Sequence, residues 1–176
     1  MTDVAIIASG GANIASLKFA LERLGASATL STDPAELRAA PRVILPGVGA
    51  ASDAMRRLEA LELVETIGGL EQPVLGICLG MQLLFDASDE GDTRCLGLLP
   101  GRARRFPDRP DYPVPHMGWN QLQGVRPSPL LQGIDDGAYV YFVHSYALPV
   151  SPATAATTDY GGEFSAVVQQ GNFYGT

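Results

Sequence analysis

Cysteine is scarce in this chain: two among 176 residues, Cys78 and Cys95. They are too far apart for a C-x-x-C pair. With only two histidines they make no metal-ligand pattern, so neither a disulfide framework nor a metal site is expected. Free thiols fit a reducing, cytosolic compartment. Positive charge is also short. Twelve Lys and Arg against 19 Asp and Glu leave a net charge of −7, which argues against non-specific nucleic-acid binding, since that needs a basic face. No apolar run is long enough to span a bilayer. The first one, residues 4–8, follows the acidic Asp3 and is too short for a signal-peptide core. A soluble protein without a membrane partner is expected. The glycines of Ser9–Asn13 fit neither G-x-G-x-x-G nor G-x-x-x-x-G-K-[ST], so a plain strand-to-helix turn is the better reading, and no cofactor is expected.

What is present is a good core and an alternating pattern. With 46% hydrophobic residues and no linker or repeat, residues 1–176 read as a single domain. Residues 4–8, 28–31, 42–45 and the run before Cys78 are short apolar strands. Ile14, Leu17, Leu21 and Leu24 mark a helix face ended by Gly25. Asp33-Pro34-Ala35-Glu36 reads as a capping box, and a helix is predicted over 51–63. Strands alternating with helices predict an α/β fold with a doubly wound, mostly parallel sheet, whose ligands bind at the carboxyl ends of the strands. Residues 86–92 look like an acidic loop and 96–101 like a strand. Arg102–Arg105 then reads as a solvated strand face. Beyond Pro115 the chain predicts strands at 138–146, 153–159 and 165–169 with no helix between them, an antiparallel addition at one sheet edge.

The chemistry concentrates at Gly76-Ile77-Cys78-Leu79-Gly80. A cysteine buried in an apolar strand is commonly inert, which is the reading for Cys95. Cys78 differs, because a glycine stands two residues to either side and the pattern turns from strand to helix there. Gly-x-nucleophile-x-Gly is a sharp turn that lifts a reactive side chain clear of a sheet. The helix N-terminus after it is expected to favour the thiolate, and the Leu79 N–H to donate to a developing oxyanion. Gln82 sits one helical turn on and faces the same pocket.

The segment resembles the cysteine elbow of triad, class I glutamine amidotransferases, G-x-C-x-G-x-Q. Pro46–Gly49, Pro115–Asn120, Tyr141–Tyr146 and Gly171–Gly175 extend the likeness over essentially the whole chain, to the glutaminase subunits of imidazole glycerol phosphate synthases in particular. The resemblance implies Cys78 as nucleophile and Gly47, Val48 and Leu79 as the oxyanion-binding residues. It implies glutamine binding by Gly49, Gln82, Glu90, His144, Ser145 and Tyr146. It also implies a heterodimer with a (β/α)8-barrel cyclase, with Asn13 and Trp119 facing that partner, and ammonia passed to the cyclase for histidine biosynthesis.

In that family the triad histidine and glutamate lie in a G-x-Q-F-H-P-E segment, and a last helix packs on the sheet. Here the sequence reads Gly175-Thr176 just before it, so a C-terminally incomplete domain is expected. His116 and His144 belong to other motifs, and neither is the general base. The 176 residues are therefore expected to bind glutamine but to turn it over negligibly. Three alternatives stand beside this. One is a non-catalytic binding or regulatory subunit. Another is a DJ-1-type cysteine-elbow protein, which leaves Gln82 unexplained. The third is a flavodoxin, for which Ser9–Gly11 is a poor phosphate loop.

Overall fold

The computed structural model describes residues 3–10 and 13–176. Gly11 and Ala12, part of the predicted first turn, lie outside the described residues. The first half alternates strand and helix: β1 (Val4–Ile7), α1 (Ile14–Arg23), β2 (Ala28–Ser31), α2 (Pro34–Ala39), β3 (Val43–Leu45), α3 (Ala51–Ala60), α4 (Val64–Gly68), β4 (Val74–Gly76) and α5 (Leu79–Leu83). The second half is mostly strand: β5 (Phe85–Ser88), β6 (Thr93–Arg94), β7 (Leu99–Arg105), β8 (His116–Gln121), β9 (Tyr139–His144), β10 (Tyr146–Ala147), β11 (Thr154–Asp159), β12 (Glu163–Gln170) and β13 (Phe173–Gly175).

The main sheet runs β11-β12-β13-β4-β3-β1-β2. From β13 to β2 every pairing is parallel, and β12 and β11 add antiparallel to the β13 side. All four residues of β1 are buried, as a parallel strand covered on both faces requires. On one face, Ala51, Ala54, Met55 and Leu58 of α3 form a buried helical stripe against Ile7, Val43, Leu45 and Val74. On the other, Ile14, Leu17 and Leu21 of α1 pack on Val4, Ile6 and Ile44. The predicted α/β class with a mostly parallel sheet is the observed one.

Several local expectations need correction. Leu24 is not on the buried face of α1 but exposed, because the helix ends at Arg23 and Leu24 is its C-cap. The helix predicted over 51–63 stops at Ala60, and a separate helix, α4, starts at Val64. Glu62 adopts a left-handed φ of 55°, and the Leu63 N–H donates to the Leu58 carbonyl at 2.9 Å, which turns Leu63 into the core. Only half the capping box forms. Asp33 accepts from the Ala35 N–H, but Ser31 Oγ takes the Asp33 N–H and donates to the Glu36 carboxylate. The acidic loop at 86–92 contains most of β5, which joins β6, β7 and β10 in a second sheet ordered β10-β7-β5-β6. The strand expected at 96–101 begins at Leu99. The N–H groups of Leu96, Gly97 and Leu98 are spent instead on the carbonyls of Leu83, Phe85 and Leu84. Finally, β8 and β9 pair only with each other, while β13, not foreseen as a strand, slots in parallel beside β4. The Asn172 amide fixes that placement by donating to the carbonyls of Leu70 and Gln72.

Candidate active site

Cys78 stands between β4 and α5 with φ 56° and ψ −115°, a conformation that side chains rarely adopt. Its N–H donates to the Thr176 carbonyl at 2.7 Å, and its carbonyl accepts from the Gln82 N–H at 3.2 Å. The turn is tight enough to demand both glycines. A Cβ on Gly76 would sit 2.7 Å from the Gly80 carbonyl oxygen, and one on Gly80 would collide with the Leu45 carbonyl. Cys95 is the contrasting case. It is buried, its Sγ faces the Thr93 carbonyl at 3.7 Å, and burial pushes its thiol up to about 11.

The strand end after β3 runs directly over the start of α5. A Cβ on Gly47 would lie 2.9 Å from Leu79 Cβ and 3.0 Å from the Gly80 nitrogen. Val48 is exposed, and Gly49 turns at φ 94°. The Leu79 N–H faces the Cys78 sulfur and lowers its pKa, yet the net shift is upward. Desolvation by the surrounding walls is the largest cause, and the Glu90 carboxylate pushes the same way. The expected preference for the thiolate is thus reversed at rest. The five residues of α5 and one amide donor do not outweigh burial.

Gln82 and Glu90 are brought together. The Gln82 amide nitrogen donates to Ser88 Oγ at 2.7 Å and to Glu90 Oε2 at 3.1 Å. Glu90 Oε2 also accepts from the Ala51 N–H at the start of α3, at 2.9 Å, so the carboxylate ties the Pro46–Ala50 loop to the elbow helix. Ser88 was not singled out from the sequence. It is fully buried and also accepts from the Glu90 N–H. Its signal was hidden because the strand that carries it reads as an acidic loop. Both protons of the Gln82 amide nitrogen are committed, so Gln82 offers its carbonyl end, and Glu90 its carboxylate, to anything entering.

These groups and Cys78 border a cavity of about 670 Å³ that Val48, Gly49, His144, Ser145 and Tyr146 also line. His144 has both ring nitrogens engaged, Nδ1 with the Tyr146 carbonyl and Nε2 with His116 Nδ1, each at 2.9 Å. Burial lowers the pKa of both rings, that of His116 to about 4. Neither ring is therefore free to serve Cys78. Asn13 and Trp119 do not line this cavity. Asn13 caps α1, its side chain accepting from the Ser16 N–H. Trp119, 68% exposed, lies on the outer face of the β8–β9 hairpin with Met117, Tyr139, Tyr141 and Val143, all exposed. Those four neighbours were not picked out from the sequence, although alternation in Tyr139-Val140-Tyr141-Phe142-Val143-His144 carried the signal. Among the described residues no group of three or more His, Cys, Asp or Glu is placed to hold a metal ion.

Comparison with known proteins identifies the family. Residues 6–176 match the family described as "Glutamine amidotransferase class-I". The chain is 56% identical over 171 residues to the imidazole glycerol phosphate synthase subunit HisH of Xylella fastidiosa (strain Temecula1), covering 97% of this chain and 86% of that one. It is 57% identical, with the same coverage, to the HisH of Xanthomonas axonopodis pv. citri. In fold it resembles a crystal structure of a glutamine amidotransferase, with a TM-score of 0.72 at 17% identity, covering 99% of this chain and 88% of that one. A glutamine amidotransferase from Thermotoga maritima gives 0.67 at 19% identity, with 99% and 74% covered. The likeness in sequence and overall fold leaves no place for a flavodoxin or a DJ-1-type protein: the chain belongs to the class-I glutamine amidotransferases, in the family of the HisH subunits of imidazole glycerol phosphate synthase.

Proposed function

We propose that Cys78 Sγ attacks the side-chain amide carbon of glutamine, and that the tetrahedral oxyanion rests on the N–H groups of Leu79 and Val48, with Gly47 giving that loop its close approach. Collapse of the intermediate expels ammonia, and water then hydrolyses the thioester to glutamate. The chain is a glutamine amidotransferase subunit. Its ammonia goes to a (β/α)8-barrel cyclase partner, which makes imidazole glycerol phosphate and an aminoimidazole ribotide in histidine biosynthesis. Direct transfer suits the chemistry, since ammonia released into water is mostly protonated and no longer nucleophilic. We place this heterodimer in the cytoplasm, where the two free thiols persist.

The observation that carries the reading is the left-handed Cys78, with the Leu79 N–H at its sulfur, opening on a cavity bordered by Gln82 and Glu90. The Glu90 carboxylate and the Gln82 carbonyl are matched to the α-ammonium group of an amino acid. Gly49, Ser145 and Tyr146 line the same cavity. Residues 1–176 act as one amidotransferase domain, and the outer face of β8–β9 around Trp119, together with Asn13, forms the cyclase-binding surface. His116 and His144 are engaged with each other, so neither is free to take the Cys78 proton.

A diazoketone analogue of glutamine tests this. It is expected to alkylate Cys78 stoichiometrically and to be blocked by glutamine. Labelling of Cys95 instead, or labelling that glutamine does not compete with, removes the site.

A further inference from the structure

The two histidines of the sequence lie side by side, His144 lining the cavity and His116 behind it, and no step of the proposed reaction uses them. His144 Nδ1 is 2.9 Å from the Tyr146 carbonyl oxygen. A carbonyl can only accept, so the proton is on Nδ1, and Nε2 of the neutral ring is a lone pair. That lone pair faces His116 Nδ1 at 2.9 Å, so His116 Nδ1 is the donor. His116 Nε2 is then itself a lone pair, and it faces the Asn120 amide nitrogen at 3.4 Å. The Asn120 amide is held in this sense, because its Oδ1 accepts from the Gln121 N–H and its Nδ2 donates to the Asp159 carbonyl. Amide, imidazole, imidazole and carbonyl make one row with every donor pointing toward the pocket. A change of tautomer in either ring sets two donors against each other.

The surroundings reinforce the row. His116 is 3% exposed and stacked between Tyr160 and Phe142, at 3.9 and 5.0 Å, where a charged ring is costly. Phe106 packs edge-on against His144, and its N–H donates to the Ser145 carbonyl at 3.0 Å. The Ser145–Tyr146 segment is thereby held from two sides.

We propose that His116 is a positioning residue for the glutamine pocket: its Nδ1–H holds His144 in the tautomer that anchors the Tyr146 carbonyl, and so sets the Ser145–Tyr146 rim. This rests on the glutamine-binding reading of the cavity given above.

Isotope-labelled histidine tests the row directly, since only two rings report. Both are expected to be neutral with the proton on Nδ1 at neutral pH. An Nε2–H or charged ring overturns the proposal. Two variants test the consequence through capture of Cys78 by the diazoketone analogue, with iodoacetamide as a reagent that needs no pocket. His116→Phe keeps the stacked ring and removes the donor, and is expected to raise the half-saturating analogue concentration about tenfold with iodoacetamide alkylation unchanged. His116→Asn keeps a donor at the Nδ1 position and loses the stack, and is expected to remain within about twofold of wild type. A packing role alone gives the reverse order and overturns the proposal. Failure of the wild-type chain to be captured at all removes the glutamine reading as well. Capture of wild type with no change in His116→Phe removes only this inference.

Discussion

A sulfur lifted out of a sheet gains access, but not automatically a charge. Cys78 is exposed, yet the walls around it and the Glu90 carboxylate outweigh the Leu79 N–H and raise its pKa. A raised thiol pKa means the neutral form dominates at neutral pH, and the thiolate fraction grows about tenfold per pH unit until the pKa is reached. Iodoacetamide alkylation of Cys78 is therefore expected to keep rising past the usual thiol range. Glu90→Gln, which removes a like charge, is expected to move that profile to lower pH. A wild-type rate that levels off below the usual thiol pKa would mean that the helix N-terminus prevails over burial. The candidate nucleophile and its raised position were legible in the spacing of Gly76, Cys78 and Gly80. Its protonation state was not, because burial and the Glu90 carboxylate, both set by tertiary packing, push its pKa up.

Among elements, the crossing of β3, β4 and α5 is the most constrained contact near the site. Gly80 meets the Leu45 carbonyl and Gly76 meets Gly80, so these backbones touch with no room for a methyl group. Gly80→Ala is expected to destabilise the chain by about 3 kcal/mol, read as a lower urea midpoint. Gly68→Ala is the control. It closes α4, its added Cβ would meet only Leu98 Cδ2 at 3.5 Å, and stability is expected to change by less than about 1 kcal/mol. Element types were readable wherever local pattern and tertiary demand agreed, as in the buried run of β1 and the stripe of α3. They misled where a backbone group answered to something remote. The Leu96–Leu98 N–H groups serve the end of α5 and the start of β5. Leu63 leaves the α3 pattern to reach the core, and β13 exists as a parallel strand because Asn172 is anchored to the turn before β4.

At the scale of the molecule, the β8–β9 hairpin has an inner face of His116, Phe142 and His144 turned to the protein and an outer face of Met117, Trp119, Tyr139, Tyr141 and Val143 turned to solvent. Trp119 lies edge-on to Tyr141 at 5.6 Å, a ready aromatic anchor for the proposed cyclase contact. Trp119→Ala is expected to weaken association with the cyclase by about 2 kcal/mol, roughly 30-fold in Kd by calorimetry, while analogue capture by the free chain is unchanged. The sequence by itself determined the fold class and the family and marked Cys78 as the candidate nucleophile, because each is written in local spacing: apolar runs of strand length, two glycines about a cysteine, and short motifs in order. Only the tertiary structure decided which hydrogen bonds those residues make. Glu90 holds the Pro46–Ala50 loop, Ser88 supports Gln82, and the two histidines bond each other. The Glu90 and histidine pairings join segments far apart in the chain, where geometry rather than residue type selects the partner.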